Sequence, residues 1–99
     1  EVPTCVEPSA LSPDAIVIDV RSAEEYAAGH VDGALHIPLD ELATRAAELP
    51  KDASLVTACG KGGGRSDQGA DILRTLGYSA RALCGGTQAW LREKETSHA

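Results

Sequence analysis

Leu55-Val56-Thr57-Ala58-Cys59-Gly60-Lys61-Gly62-Gly63-Gly64-Arg65-Ser66 is the stretch on which the reading of this chain turns. The apolar run Leu55 to Ala58 has the character of a strand and delivers Cys59 to the start of a loop. Four of the five residues from Gly60 to Gly64 are glycines, with Lys61 among them. Lacking Cβ atoms, they let the backbone take positive φ and curl, so that successive N–H groups can converge on one point. A helical pattern begins beyond Arg65 and Ser66. A glycine loop ahead of a helix N-terminus is a cradle for an anion, strengthened by the helix dipole. A sulfur on the floor of that cradle is favoured as thiolate, the nucleophilic form of cysteine. The plainer alternative is a glycine-rich turn around a buried structural cysteine; strand, cysteine, cationic loop and helix occurring together favour the nucleophile.

Outward from this stretch, strands and helices alternate. Upstream, Ala15-Ile16-Val17-Ile18-Asp19-Val20 is a nearly continuous β-branched run, the mark of a strand buried on both faces. Ser22-Ala23-Glu24-Glu25 is a capping box, and Gly29 stops the short helix that it starts. Val31 to Pro38 reads as extended. From Pro38, Leu39, Leu42, Ala43, Ala46 and Leu49 keep helical spacing until Pro50. Downstream, a helix of about ten residues is expected with Ile72, Leu73 and Leu76 inward and Gly77 at its C-cap. Ala80 to Leu83 is a short strand. Gly85-Gly86 turns the chain, Thr87 is placed to cap a last short helix carrying Trp90, and Arg92 to Ala99 reads as a charged, fraying tail. Glu1 to Pro13 is weakly patterned, with room for an edge strand near Val2 to Val6.

Alternation of this kind implies an α/β fold with a mostly parallel sheet, whose ligands sit outside the carboxyl ends of the strands. Cys59 follows such an end. Ninety-nine residues make one domain, 1–99, with a core that must be aliphatic: there is no Phe or Met, one Trp and two Tyr. With no methionine anywhere, the start is expected to be processed or trimmed. Nine Lys and Arg against fifteen Asp and Glu give a net charge of −6. That balance argues against nucleic acid or an anionic membrane as partner, and no apolar run approaches a membrane span. Against this acidic background Lys61 and Arg65 form a local positive spot. Cys5, Cys59 and Cys84 are odd in number and show no C-x-x-C, so neither a disulfide framework nor a structural zinc site is expected, and a reducing, cytoplasmic setting fits.

Two segments carry a resemblance to a known family. Ile18 to Pro38, I-D-V-R-S-A-E-E-Y-A-A-G-H-V-D-G-A-L-H-I-P, looks like the first signature of rhodanese-like domains. The segment from Cys59 through G-Y-S-A-R-A-L-C-G-G-T-Q-A-W, ending at Trp90, resembles their second half. The resemblance implies a five-stranded, mostly parallel sheet with helices on both faces. It also implies that Cys59 takes a sulfane sulfur as a persulfide from a small anionic donor such as thiosulfate. The sulfur then passes to cyanide, a thiol or a protein, with no cofactor or metal required. Gly60, Lys61, Gly62, Gly63, Gly64 and Arg65 would bind the substrate.

Loop length departs from the family pattern. Five residues separate Cys59 from Arg65, a C-x5-R spacing like that of the phosphatases and arsenate reductases sharing the fold. Those relatives usually carry His before the Cys, where this chain has Ala58. Lys61 and Gly62 resemble thiosulfate-using loops, and sulfur transfer is the favoured activity. A phosphatase or arsenate reductase, and a non-catalytic binding module, stay as alternatives. Asp19 and Arg21 at the end of the first buried strand are expected to support the site as an ion pair. His30 is expected to support the fold. Cys84 could resolve a persulfide at Cys59 or be an inert buried thiol, and Cys5 looks incidental.

Overall fold

The computed structural model describes residues 5–60 and 64–96, the side chains of 94–96 excepted. Its elements in chain order are β1 (Cys5–Val6), a 3-10 turn (Pro8–Ala10), β2 (Ile16–Asp19), α1 (Ala23–Ala28) and β3 (Leu35–His36). After them come α2 (Leu39–Arg45) running into a second 3-10 turn (Ala46–Glu48), β4 (Ser54–Ala58), α3 (Gly64–Thr75), β5 (Ser79–Leu83) and α4 (Gly86–Thr96). All five strands are parallel, in the order β1-β5-β4-β2-β3.

The sheet is dressed on both faces. Ile18, Val20, Leu55 and Ala80 pack on one side with Leu42 of α2 and Ala70 and Leu73 of α3. Val17, Val56, Ala58 and Leu83 pack on the other, with Tyr26 of α1 and Trp90 of α4 against them. Alternation along each strand sends neighbouring residues to opposite faces, so a strand buried on both must be apolar throughout. Gly69 marks the tightest approach of α3: a Cβ there would meet Thr57 Cγ2 at 3.2 Å and Leu42 Cδ2 at 3.3 Å.

The order of the strands positions the site. The chain runs from β2 outward to β3, then returns across β2 to lay β4 on its other side. Such a reversal opens a crevice at the carboxyl ends of the two strands. Asp19, which ends β2, lies in register with Ala58, which ends β4. Cys59 and Arg21 therefore emerge side by side at this crevice.

Several sequence expectations are met and several are corrected. The capping box is present: Ser22 Oγ accepts from the Glu25 amide, and the Glu25 carboxylate accepts from the Ser22 amide. The extended segment Val31 to Pro38 contributes only two ladder residues. In α2 and the 3-10 turn that follows it, Leu42 and Ala46 are buried but Ala43 is exposed. The helix α3 begins inside the glycine loop, at Gly64, and buries Ser66, Gly69, Ala70 and Leu73. Leu76 is 41% exposed rather than inward, because it lies past the last helical residue, where the chain turns toward β5. The stretch expected to fray from Arg92 is helical as far as Thr96. The residues of the proposed edge strand before Cys5, and His98 in the tail, lie outside the described residues.

The largest correction concerns the cysteines. Cys5 and Cys84 form a disulfide, with their Cα atoms 5.1 Å apart. Register explains it: Cys5 sits beside Ala82 and Val6 beside Leu83, so the residue just beyond β5 comes diagonally across from Cys5. Cys5 is thus not incidental, and Cys84 is spoken for rather than an inert thiol or a partner for Cys59. The argument from unpaired cysteines to a reducing, cytoplasmic setting loses its premise, since disulfides persist mainly in oxidising surroundings.

Candidate active site at Cys59

Cys59 is the one cysteine outside the disulfide and is 4% exposed. Its Sγ–H donates to Ser66 Oγ at 3.4 Å. Ser66 is held in turn by β4: Thr57 Oγ1 donates to the Ser66 carbonyl at 2.6 Å. Strand end and helix start are thereby clamped together, with the sulfur between them and the first turn of α3 facing it. Acidic and basic ends matter here, since the N-terminus of a helix carries the positive end of its dipole.

From the other side, α4 braces the loop. The Thr87 amide donates to the Cys59 carbonyl at 2.7 Å and the Gln88 amide to the Gly60 carbonyl at 3.0 Å. These are amides that no residue within α4 could satisfy. Gly85 and Gly86, both at positive φ, make the turn that brings them there. The expected side-chain cap by Thr87 is not made; Thr87 lies inside the first turn of α4 and its hydroxyl has no partner among the described residues.

Asp19 and Arg21 form the expected ion pair, at 0% and 7% exposure. Arg21 donates through Nε to Asp19 Oδ1 at 2.9 Å and through Nη2 to Oδ2 at 2.7 Å, and its amide also donates to Oδ1. Nη2 further donates to the Gly29 carbonyl at 2.6 Å. The Asp19 carboxylate, as its hydrogen-bond acceptor and counter-charge, raises the Arg21 pKa above its ordinary value, against the opposing effect of burial. Every charge in the pair is met, which is the condition for burying one. His36 adds to the frame by donating from Nε2 to the Arg21 carbonyl at 2.8 Å. His30 does the same through Nδ1 to the Tyr26 carbonyl and stacks on the Tyr26 ring.

Arg65 stands exposed at the rim, within Coulombic reach of Cys59 and Asp19. Its guanidinium is engaged by a residue that the sequence reading assigned only to a helix cap. Arg65 Nη1 donates to Glu25 Oε1 at 2.9 Å and Nη2 to Oε2 at 3.2 Å. Arg65 and then the Ser22 amide pull the Glu25 pKa down to about 2. The contribution of this group to stability is complete above its ordinary pKa of 4.5 and disappears as pH falls through about 2. In Arg65→Ala the Glu25 pKa is expected to rise yet stay below the ordinary carboxylate range, because the Ser22 amide still donates. A carboxyl NMR titration checks this; a Glu25 pKa indifferent to the substitution would show that the ion pair is not what depresses it.

Of the expected substrate-binding residues, Gly60 directly follows Cys59, Gly64 opens α3 and Arg65 stands at the rim on Glu25, while Lys61, Gly62 and Gly63 lie outside the described residues. Ser66, Thr87 and Glu25 are additions of the structure. A cavity of about 560 Å³ lies elsewhere, between β1, the first 3-10 turn and the starts of β4 and β5. Cys59 is not among its walls. No group of three or more potential metal ligands occurs among the described residues, nor is any described helix long and apolar enough to cross a membrane.

A family model described as the Rhodanese-like domain matches residues 8–93. A human thiosulfate:glutathione sulfurtransferase is 42% identical over 95 residues, covering 81% of each chain. An HTH-type transcriptional regulator of Mycobacterium tuberculosis is 40% identical over 75 residues; the match takes in 75% of this chain but only 33% of that protein. The structure of a human single-domain sulfurtransferase superposes with a TM-score of 0.80 at 32% identity, covering 93% of this chain and 98% of that one.

Proposed function

The chain belongs to the rhodanese-like domain family, and from that premise we propose that it is a sulfurtransferase working through a persulfide on Cys59. Relatives named as sulfurtransferases support a function of that type. The Cys59 thiolate attacks the outer sulfur of thiosulfate or a similar anionic donor, the donor's S–S bond breaks, and sulfite leaves with the electron pair. The persulfide R–S–S⁻ carries its charge on the outer sulfur. Cyanide, a thiol or a protein acceptor then attacks that sulfur, and Cys59 leaves as thiolate. No general base is needed, because donor and persulfide are already anions. Arg65 and the loop residues Gly60 to Gly64 bind the donor, Lys61 among them, and Asp19 with Arg21 holds the frame.

The observation that carries this reading is the placement of Cys59 between the end of β4 and the first turn of α3, with the Thr87 amide of α4 fixing its carbonyl. The competing phosphatase reading rests on the C-x5-R spacing, and it needs the Arg65 fork to clamp a tetrahedral oxyanion. Those enzymes usually carry a His before the Cys, where this chain has Ala58.

Intact-mass and peptide mapping after a thiosulfate soak test the proposal. One added sulfur on the Cys59 peptide is expected, removed again by cyanide, with aryl-phosphate hydrolysis negligible beside it. An unloaded Cys59, or phosphate-ester hydrolysis outrunning sulfur transfer, would overturn it.

A further inference from the structure

Thr87 is 1% exposed, and its Oγ1 is the one buried side-chain polar atom among the described residues that has no hydrogen-bond partner. Such an atom is unusual and calls for a reason, because a buried hydroxyl left unpaired forfeits its hydration for nothing. A threonine at the start of a helix ordinarily repays this by capping. Here the first amides of α4 are already taken: those of Thr87, Gln88 and Ala89 donate to the carbonyls of Cys59, Gly60 and Gly85. The hydroxyl has no capping work left to do.

Its position is specified closely. Gly85 and Gly86 stand at φ of 72° and 64°, where a side chain is strained, and a Cβ on Gly85 would come within 2.5 Å of the Ala89 Cβ. This turn, passable only to glycine at Gly85, seats the Thr87 backbone 2.7 Å from the carbonyl of the nucleophilic cysteine. The residue therefore carries an unused O–H donor in the first turn of an eleven-residue helix, one backbone hydrogen bond away from Cys59.

We propose that the Thr87 hydroxyl is a substrate-contacting donor, which hydrogen-bonds the anionic sulfur group carried on Cys59 during transfer. The inference rests on the persulfide reading given above and extends it to a residue outside the glycine loop. A persulfide or a thiosulfate oxyanion is an acceptor without protons, so it supplies what the hydroxyl lacks, and a donor to a charged partner makes the stronger kind of hydrogen bond. In the resting enzyme the hydroxyl is unpaired; in the loaded enzyme it is satisfied.

Thr87→Val keeps the shape and removes the donor. The expected result is a fall in kcat/KM for thiosulfate:cyanide transfer of about tenfold or more, with a melting temperature equal to or above that of the parent. Thr87→Ser should restore transfer to within about threefold of the parent, an estimate from its retained donor. A structural role would instead lower melting temperature and rate together in Thr87→Val, and that result overturns the proposal. So does transfer at the parent rate in Thr87→Val while Cys59 of the parent takes up sulfur. A parent whose Cys59 takes up no sulfur at all refutes the persulfide reading itself, and this inference with it.

Discussion

Cys59→Ser is expected to reduce thiosulfate:cyanide transfer to the rate seen without protein, while costing the fold no more than about 1–2 kcal/mol. The reasoning is chemical. Sulfur transfer needs a nucleophile that attacks sulfur as an anion and leaves again as one, and a serine alkoxide is unsuited to both steps at neutral pH. Packing is barely disturbed, since one atom changes in a residue 4% exposed. A hydroxyl at that position can still bond to Ser66 Oγ, the present partner of the sulfur. A second readout is independent of turnover. Because Cys5 and Cys84 are joined, iodoacetamide applied without reductant should label Cys59 alone, and Cys59→Ser should abolish labelling. Residual Cys59-independent transfer above background, or label on Cys5 or Cys84, would undo the assignment. Arg65→Ala makes the instructive contrast, because a guanidinium exposed at the rim is expected to act on donor binding rather than on bond exchange.

The parts of this molecule that were legible in the sequence are those specified by neighbours along the chain. The β-branched run of β2, the capping box at Ser22 and the strand-to-glycine loop at Cys59 all declare themselves within a few residues. Periodicity failed where tertiary context decides. Leu76 continues the helical apolar spacing but falls beyond the end of α3, so it is exposed. Ser66 and Thr87 are small polar residues of a kind that usually faces solvent, and only the meeting of β4, α3 and α4 buries them. Glu25 was readable as a capping residue, since that role spans three positions. Its second role, holding Arg65 forty residues away, has no local signal.

The same limit hid the disulfide, whose two cysteines are 79 residues apart. It is also where the largest effect on stability is expected. The strand β1 has two residues and lies at the edge of the sheet, paired to β5 alone. Among the described residues it is tied to β5 by its ladder, by the Cys84 amide, which donates to the Val6 carbonyl at 2.8 Å, and by the covalent bond. Closing a loop of this length removes much of the entropy of the unfolded chain, worth roughly 4–5 kcal/mol in the chain-entropy treatment and about 2–5 kcal/mol in practice. Total stability for a domain of this kind is only about 5–15 kcal/mol. Reduction with a dithiol, or Cys5→Ala, should therefore lower the melting temperature by roughly 8–40 °C, taking about 4–8 °C per kcal/mol at this size. The double variant Cys5→Ala/Cys84→Ala should lose about as much as Cys5→Ala, since the two residues contribute through one bond. It should then be indifferent to the dithiol. Below its lowered melting point the reduced protein should still load sulfur, because the proposed chemistry runs through Cys59. Calorimetry with and without reductant decides the matter: a shift smaller than about 2 °C, against the several degrees that each lost kcal/mol produces, would mean that the pairing of β1 with β5 holds without the bridge.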